Sequence, residues 1–319
     1  MSSSLDRHDL LVVRLDRFTR MLHGVEAGEP RAIHRTRVAT RRLRELLPVL
    51  QLDGRTARKL GRRLRRITRR LGAIRELDVL LDVMEELQKS RRYPSHVLGR
   101  ITGDIRTARN SAREDVIGKP LVSELQRVGR KLEAAAGELK DGESKHGEHK
   151  LSGGRGWYWA IDARVARRAT TLSKAVEDAG ALYLPERLHV VRIALKKLRY
   201  AVEVAGEATG ADRAADLRAL KRGQDLLGRL HDFQVLIDRV RRVQASLDPP
   251  DAAVSRHLDH LVVGLEQQCR HLHARYVRER GALAAICARL LSRPARSARS
   301  ARSERPVRAS RATAVRRAG

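Results

Sequence analysis

Residues 33–44 read IHRTRVATRRLR and residues 188–199 read LHVVRIALKKLR. With the second segment laid over the first, His34 falls on His189, Arg37 on Arg192, Arg41 and Arg42 on Lys196 and Lys197, and Arg44 on Arg199. An α-helix turns about 100° per residue, so each stretch separates into two sides. Ile33, Thr36, Ala39, Thr40, Leu43, Leu46, Leu47 and Leu50 share one side of the first copy, and His34, Arg37, Arg41 and Arg44 the other. In the second copy Leu188, Val191, Ala194, Leu195, Leu198 and Val202 oppose His189, Arg192, Lys196 and Arg199. A second matched pair follows, LGAIRELDVLLD at 71–82 and LGRLHDFQVLID at 227–238. Two elements recurring in one order at nearly one spacing mark a duplicated unit, whose halves are expected to pack about a pseudo-two-fold axis.

The rest of the chain agrees with helices. Its 319 residues are 42% hydrophobic but only 3% aromatic, which favours an all-α fold on small and aliphatic contacts over a β-sandwich or barrel. Apolar periodicity predicts helices over 6–26, 32–51, 55–72, 74–90, 95–117 and 119–139, then over 157–181, 186–208, 212–228, 231–247 and 251–290. The expected organisation is a first helical bundle over 1–145, a linker over 146–156 and a second bundle over 157–291. The linker is the end of a polar, Gly-rich run, KDGESKHGEHKLSGGRG at 140–156. From 292 to 319 Arg recurs every third residue with almost nothing to bury, the composition of a disordered basic tail.

Charge dominates the functional reading. Lys and Arg number 67 against 38 Asp and Glu, a formal net of +29, of which the tail supplies only +8. Between Arg31 and Arg75 stand 16 basic residues against Glu45 and Asp53. In RTARKLGRRLRRITRRLG, Leu60, Leu64, Ile67 and Leu71 form a narrow apolar seam, opposed by Arg62, Arg65, Arg66 and Arg69 among others. The counterpart, LRALKRGQDLLGRLHD, is milder, with Arg218, Lys221 and Arg222 set against Asp225 and Asp232. Like charges stacked one turn apart repel unless an anion lies across them, so rows repeated without interleaved acids call for a polyanion. Arg suits forked hydrogen bonding to phosphate oxygens, and Lys offers a point charge. His34 and His189, set among cations, are expected to be neutral and to donate hydrogen bonds or pack.

Other chemistries lack their residues. There is no zinc spacing, no P-loop and no paired carboxylates in a strand, so neither a metal nor a cofactor is expected, and no enzyme activity. Cys269 and Cys287 lie 18 positions apart in one expected helix, too far along its axis to join, and read as reduced structural thiols. No apolar run reaches membrane-spanning length, and MSSSLDRHDL has no signal-like core, so a soluble cytoplasmic protein is expected. The competing reading is a nucleic-acid-binding, nucleoid-associated protein. Against it stands the aromatic shortage, since Trp157, Tyr158 and Trp159 form the one cluster and sit at an expected helix start. A third reading makes His34 or His189 a phosphate acceptor, but no partner carboxylate is fixed beside either.

The four motif blocks, in order over roughly 5–291, resemble the CHAD family, the conserved histidine α-helical domain. The resemblance implies two pseudo-symmetric helical bundles around a basic central pore or groove that binds inorganic polyphosphate; whether the protein collects on polyphosphate granules is left open by the sequence. It carries the binding role to His34, Arg37, Arg41, Arg42, Arg44, His189, Arg192, Lys196, Lys197 and Arg199, with Arg62, Arg65, Arg66, Arg69, Arg218, Lys221 and Arg222 on neighbouring helices. The E-x-E-x-K strand of the triphosphate tunnel domain, often fused in family relatives, is absent, and Gln234 stands where the first copy has Asp78. The expected contribution of the tail is a weak, non-specific attraction for nucleic acid.

Overall fold

The computed structural model describes residues 5–117, 119–145 and 150–292. Among these are ten α-helices, one short 3-10 turn and no strand. The helices are α1 (Arg7–Thr19), α2 (Leu22–Glu26), α3 (Pro30–Leu46), α4 (Gly54–Ser90), α5 (Ser95–Val116), α6 (Lys119–Lys145), α7 (Lys150–Ala179), α8 (Pro185–Thr209), α9 (Ala214–Ala245) and α10 (Ala252–Leu291).

Local chemistry sets their ends. Asp6, Asp53 and Asp251 cap α1, α4 and α10 by accepting from first-turn backbone N–H groups, Asp53 from Thr56 at 2.8 Å. The two helices that carry the repeated motif, α3 and α8, both open on a proline, whose fixed φ and missing N–H suit that position. Gly210, at φ +63°, ends α8 in a left-handed turn that a side chain would strain.

Four boundaries differ from expectation. The segments 55–72 and 74–90 form one helix of 37 residues, and 212–228 and 231–247 another of 32. Gly72 and Gly228, which suggest breaks, lie mid-helix. A helical glycine costs only about 1 kcal/mol against alanine, less than is gained by keeping Leu64, Ile67, Leu71 and Ile74 in one buried stripe. The 6–26 helix divides into α1 and α2. The polar run 140–156 is helical in backbone on both sides, α6 ending at Lys145 and α7 starting at Lys150. The tail from 293 onward lies outside the described residues.

Helices α1, α3, α4 and α6 pack in a ring, each on the next, and α7, α8, α9 and α10 do the same. The rings meet where α3 lies on α8 and α4 on α9. Their buried apolar side chains merge into one cluster, from Leu10 and Phe18 of α1 through Leu43 and Leu64 to Leu195, Leu227 and Cys287. A second cluster joins the far ends of α4 and α9 to α5 and α10, with Met84, Ile101, Phe233 and Leu261 among its members. There Gly264 of α10 admits the Tyr93 hydroxyl, which a Cβ would overlap.

Ion pairs cross the same boundary. Glu45 of α3, its side chain 8% exposed, holds Arg164 and Arg168 of α7 at 2.9 and 2.8 Å. Arg239 pairs with Asp104, and Arg229 with Glu86. Cys269 and Cys287 are both free and buried. No helix among the described residues is long and apolar enough to cross a membrane.

Candidate anion-binding site

The pairing of α3 with α8 brings the two basic rows together. Arg37 and Arg41 of α3 lie within electrostatic reach of Arg192 and Lys196 of α8. Arg75 and Glu76 approach from α4, and His231 and Asp232 from α9. Behind the first row the Thr68 hydroxyl donates to Leu64 O and lies 2.9 Å from the Thr40 hydroxyl, which donates to Arg37 O, tying α3 to α4 inside the core.

Crowding of like charge in a half-buried place shows in several proton affinities. Burial, then Arg192, Arg41 and Arg37, push the Lys196 ammonium down to about 6, with Asp232 opposing. Burial together with Arg41 and Arg192 lowers Arg37 to about 10. His231 falls to about 4 through burial, Arg192, His189 and Lys196. His189 is lowered by burial, Arg192 and Lys196, and His34 by burial, Arg75, Arg37 and Arg41, so both are held neutral as their cationic setting predicts. The rings of His189 and His231 lie 4.6 Å apart between centroids. Burial raises Asp232 despite the cations around it.

Two donors in this cluster are unsatisfied. The Nε atoms of Arg37 and Arg192, both shielded from solvent, have no hydrogen-bond partner. Buried polar groups nearly always have one, and each guanidinium N–H left without an acceptor is costly. The arrangement sets unpartnered donors of two neighbouring helices among crowded cations.

The seventeen residues singled out from sequence therefore separate. His34, Arg37, Arg41, His189, Arg192 and Lys196 form the central cluster. Arg44 and Lys197 lie at its far end around Glu45, each lowered by burial first, then by Arg65 in one case and Arg168 in the other. Arg42 and Arg199 do not share the cluster's free charge. Both are ion-paired to Glu203, at 2.9 and 2.6 Å, and Arg199 also donates to Gln224. Arg66 donates to Glu124 of α6 at 2.8 Å, and Lys221 to Asp225 at 2.5 Å. Arg62, Arg65, Arg69, Arg218 and Arg222 are exposed along α4 and α9.

Four polar residues of the centre were not among those seventeen: Arg75, Glu76, His231 and Asp232. Their signal lies in the second repeat, where RE at 75–76 falls on HD at 231–232. Among the described residues the group able to hold a metal ion is Asp6, His8 and Asp9, at the start of α1 and away from this cluster.

Comparison with known proteins agrees with this architecture. The chain is similar in structure to the CHAD domain from the plant Ricinus communis, at 21% identity and a TM-score of 0.57, over 92% of this chain and 96% of that one. It is also similar to PptA from Streptomyces chartreusis, at 17% identity and a TM-score of 0.55, over 90% and 98% respectively. At such identities the likeness speaks for the fold. No curated protein sequence matches the chain. The sequence pattern of the CHAD domain family matches residues 11–241, which include both basic rows and all four motif blocks. By that match, over most of its length, the chain belongs to the CHAD domain family.

Proposed function

We propose that the protein binds inorganic polyphosphate between α3 and α8 and leaves it chemically unchanged. The observation that carries this reading is the pair of unpartnered, buried Nε donors on Arg37 and Arg192, set among cations crowded enough to hold Lys196 largely neutral. An anion supplies both the missing acceptors and the missing countercharge. The ligand must be thin, because these groups are half-buried between helices, where the backbone of a duplex cannot follow. It needs no aromatic platform, and Trp157 is buried in the core. Exposed arginines of α4 and α9 would steer a long polyanion toward the cluster. Cytoplasmic placement, on polyphosphate granules, belongs to the same reading.

The test is calorimetric titration of the full chain with long-chain polyphosphate and with duplex DNA over a salt series. Polyphosphate should bind more tightly than DNA and weaken as salt rises, because binding releases counterions. Arg37→Gln with Arg192→Gln should weaken polyphosphate binding by about tenfold or more, each lost charge-assisted bond being worth about 1.5–3 kcal/mol. Electrophoresis of the recovered polyphosphate should show unaltered chain length. DNA binding of equal strength, or polyphosphate binding indifferent to the double substitution, overturns the assignment.

A further inference from the structure

A cleft of about 460 Å³ lies between α1 and α3. Arg14, Arg17, Arg20 and Met21 line it from the α1 side, and His34, Arg35, Val38, Ala39 and Arg42 from α3. Only His34 belongs also to the central cluster. Arg14 is 2% exposed; its Nη1 donates to Leu10 O at 3.3 Å and its Nη2 lies 2.7 Å from Glu207. Its Nε, also buried, has no partner. Arg42 is paired with Glu203 and Arg20 with Asp16. Arg17 and Arg35 are exposed and, among the described residues, form no ion pair.

The second half lacks this feature. In the repeat, Val190 falls on Arg35 and Ile193 on Val38, and both are exposed apolar residues. The cleft is thus no copy of the shared cationic rows. Its composition also differs from theirs, because Met21, Val38 and Ala39 line it alongside the arginines. Apolar lining does nothing for a chain of bare phosphates, but it accepts the apolar body of an organic phosphate, and arginine planes stack on flat rings. The volume suits one small molecule.

We propose that this cleft binds a small organic di- or triphosphate at a site separate from that of the long polyanion. The phosphates would meet Arg17, Arg35 and the free Nε of Arg14, with the organic part on Met21 and Val38. The inference rests on residues that the polyphosphate reading does not use, His34 excepted, so either can fail alone.

Adenosine triphosphate and inorganic tripolyphosphate serve as probes, each titrated into the full chain with and without saturating long-chain polyphosphate. About one equivalent of adenosine triphosphate should bind in both conditions, and more tightly than tripolyphosphate. Arg17→Gln with Arg35→Gln, both at exposed positions, should weaken it about tenfold or more while long-chain polyphosphate binding falls by no more than about threefold. Arg37→Gln with Arg192→Gln should do the reverse. Equal affinity for the two probes would assign the cleft to the phosphate groups alone and remove the organic ligand from the proposal. Complete displacement by long-chain polyphosphate, or no binding at millimolar concentration, would overturn it.

Discussion

Anion binding between α3 and α8 should draw a proton from solution. Burial and the neighbouring cations push the Lys196 ammonium down to about 6 in the free protein, so at pH 7.5 it is mostly neutral, one pH unit being a factor of ten. A polyanion laid beside it reverses the balance of charge that burial, Arg192, Arg41 and Arg37 impose. The ammonium form then becomes the stable one, and close to one proton is taken up per chain. By linkage, affinity for polyphosphate should fall about tenfold for each unit of pH between about 6.5 and the pKa of the bound state. Calorimetry in buffers of different ionisation enthalpy measures this directly, because the observed heat changes linearly with the buffer's own heat and the slope counts protons. Lys196→Met should remove most of that slope at pH 7.5. Any remainder growing below pH 7 is the share of His34 and His189, whose affinities are also lowered. A slope of zero in the wild type, or a slope unchanged in Lys196→Met, would refute the assignment of Lys196 to the contact.

The sign for stability is the opposite of that for a paired lysine. Folding lowers the pKa of Lys196, so the unfolded chain binds the extra proton, and the penalty this places on the fold is relieved as pH rises from about 6 toward 10. Lys196→Met should therefore raise the melting temperature of the free protein at pH 7, read by circular dichroism; a lowered one would count against burial of an uncompensated charge. Glu45→Gln leaves Arg164 and Arg168 half-buried without their carboxylate and should cost about 3–5 kcal/mol in urea unfolding, whereas a loss under 1 kcal/mol would mean the pair is screened by solvent. Gly264→Ala should destabilise by about 1–3 kcal/mol because the Tyr93 hydroxyl occupies that space. In a Tyr93→Phe background the same change should cost far less or stabilise, through helix propensity; equal effects in the two backgrounds would exclude the clash.

The helical character and the two principal rows were legible because a face of a helix is a local property. His34, Arg37 and Arg41 and their counterparts, spaced three and four apart with leucines opposite, needed nothing beyond the rotation per residue. Arg42 and Arg199 look identical to them in a count of charge. What separates them is Glu203, one helical turn from Arg199 and so within local reach, but 161 positions from Arg42. Glu45 was likewise one of two acids in a basic stretch, and only the packing of α3 against α7 makes it a hub for two arginines. The polar pairs at 75–76 and 231–232 were present in the repeat but read as part of a helix start. That reading followed from taking Gly72 and Gly228 as breaks, and once α4 and α9 run straight through, both pairs sit mid-helix facing the rows.

The rows face each other across the meeting of two helical rings that share one hydrophobic cluster. On the proposed reading neither ring alone carries both rows, so the binding surface would form only where they dock. A ligand held there belongs to the docked form alone, and it shifts the docking equilibrium by RT ln(1 + [L]/Kd). Cut between α6 and α7, the chain would leave two halves whose association, already favoured by the shared apolar cluster and the ion pairs across it, would be tightened further by the polyanion.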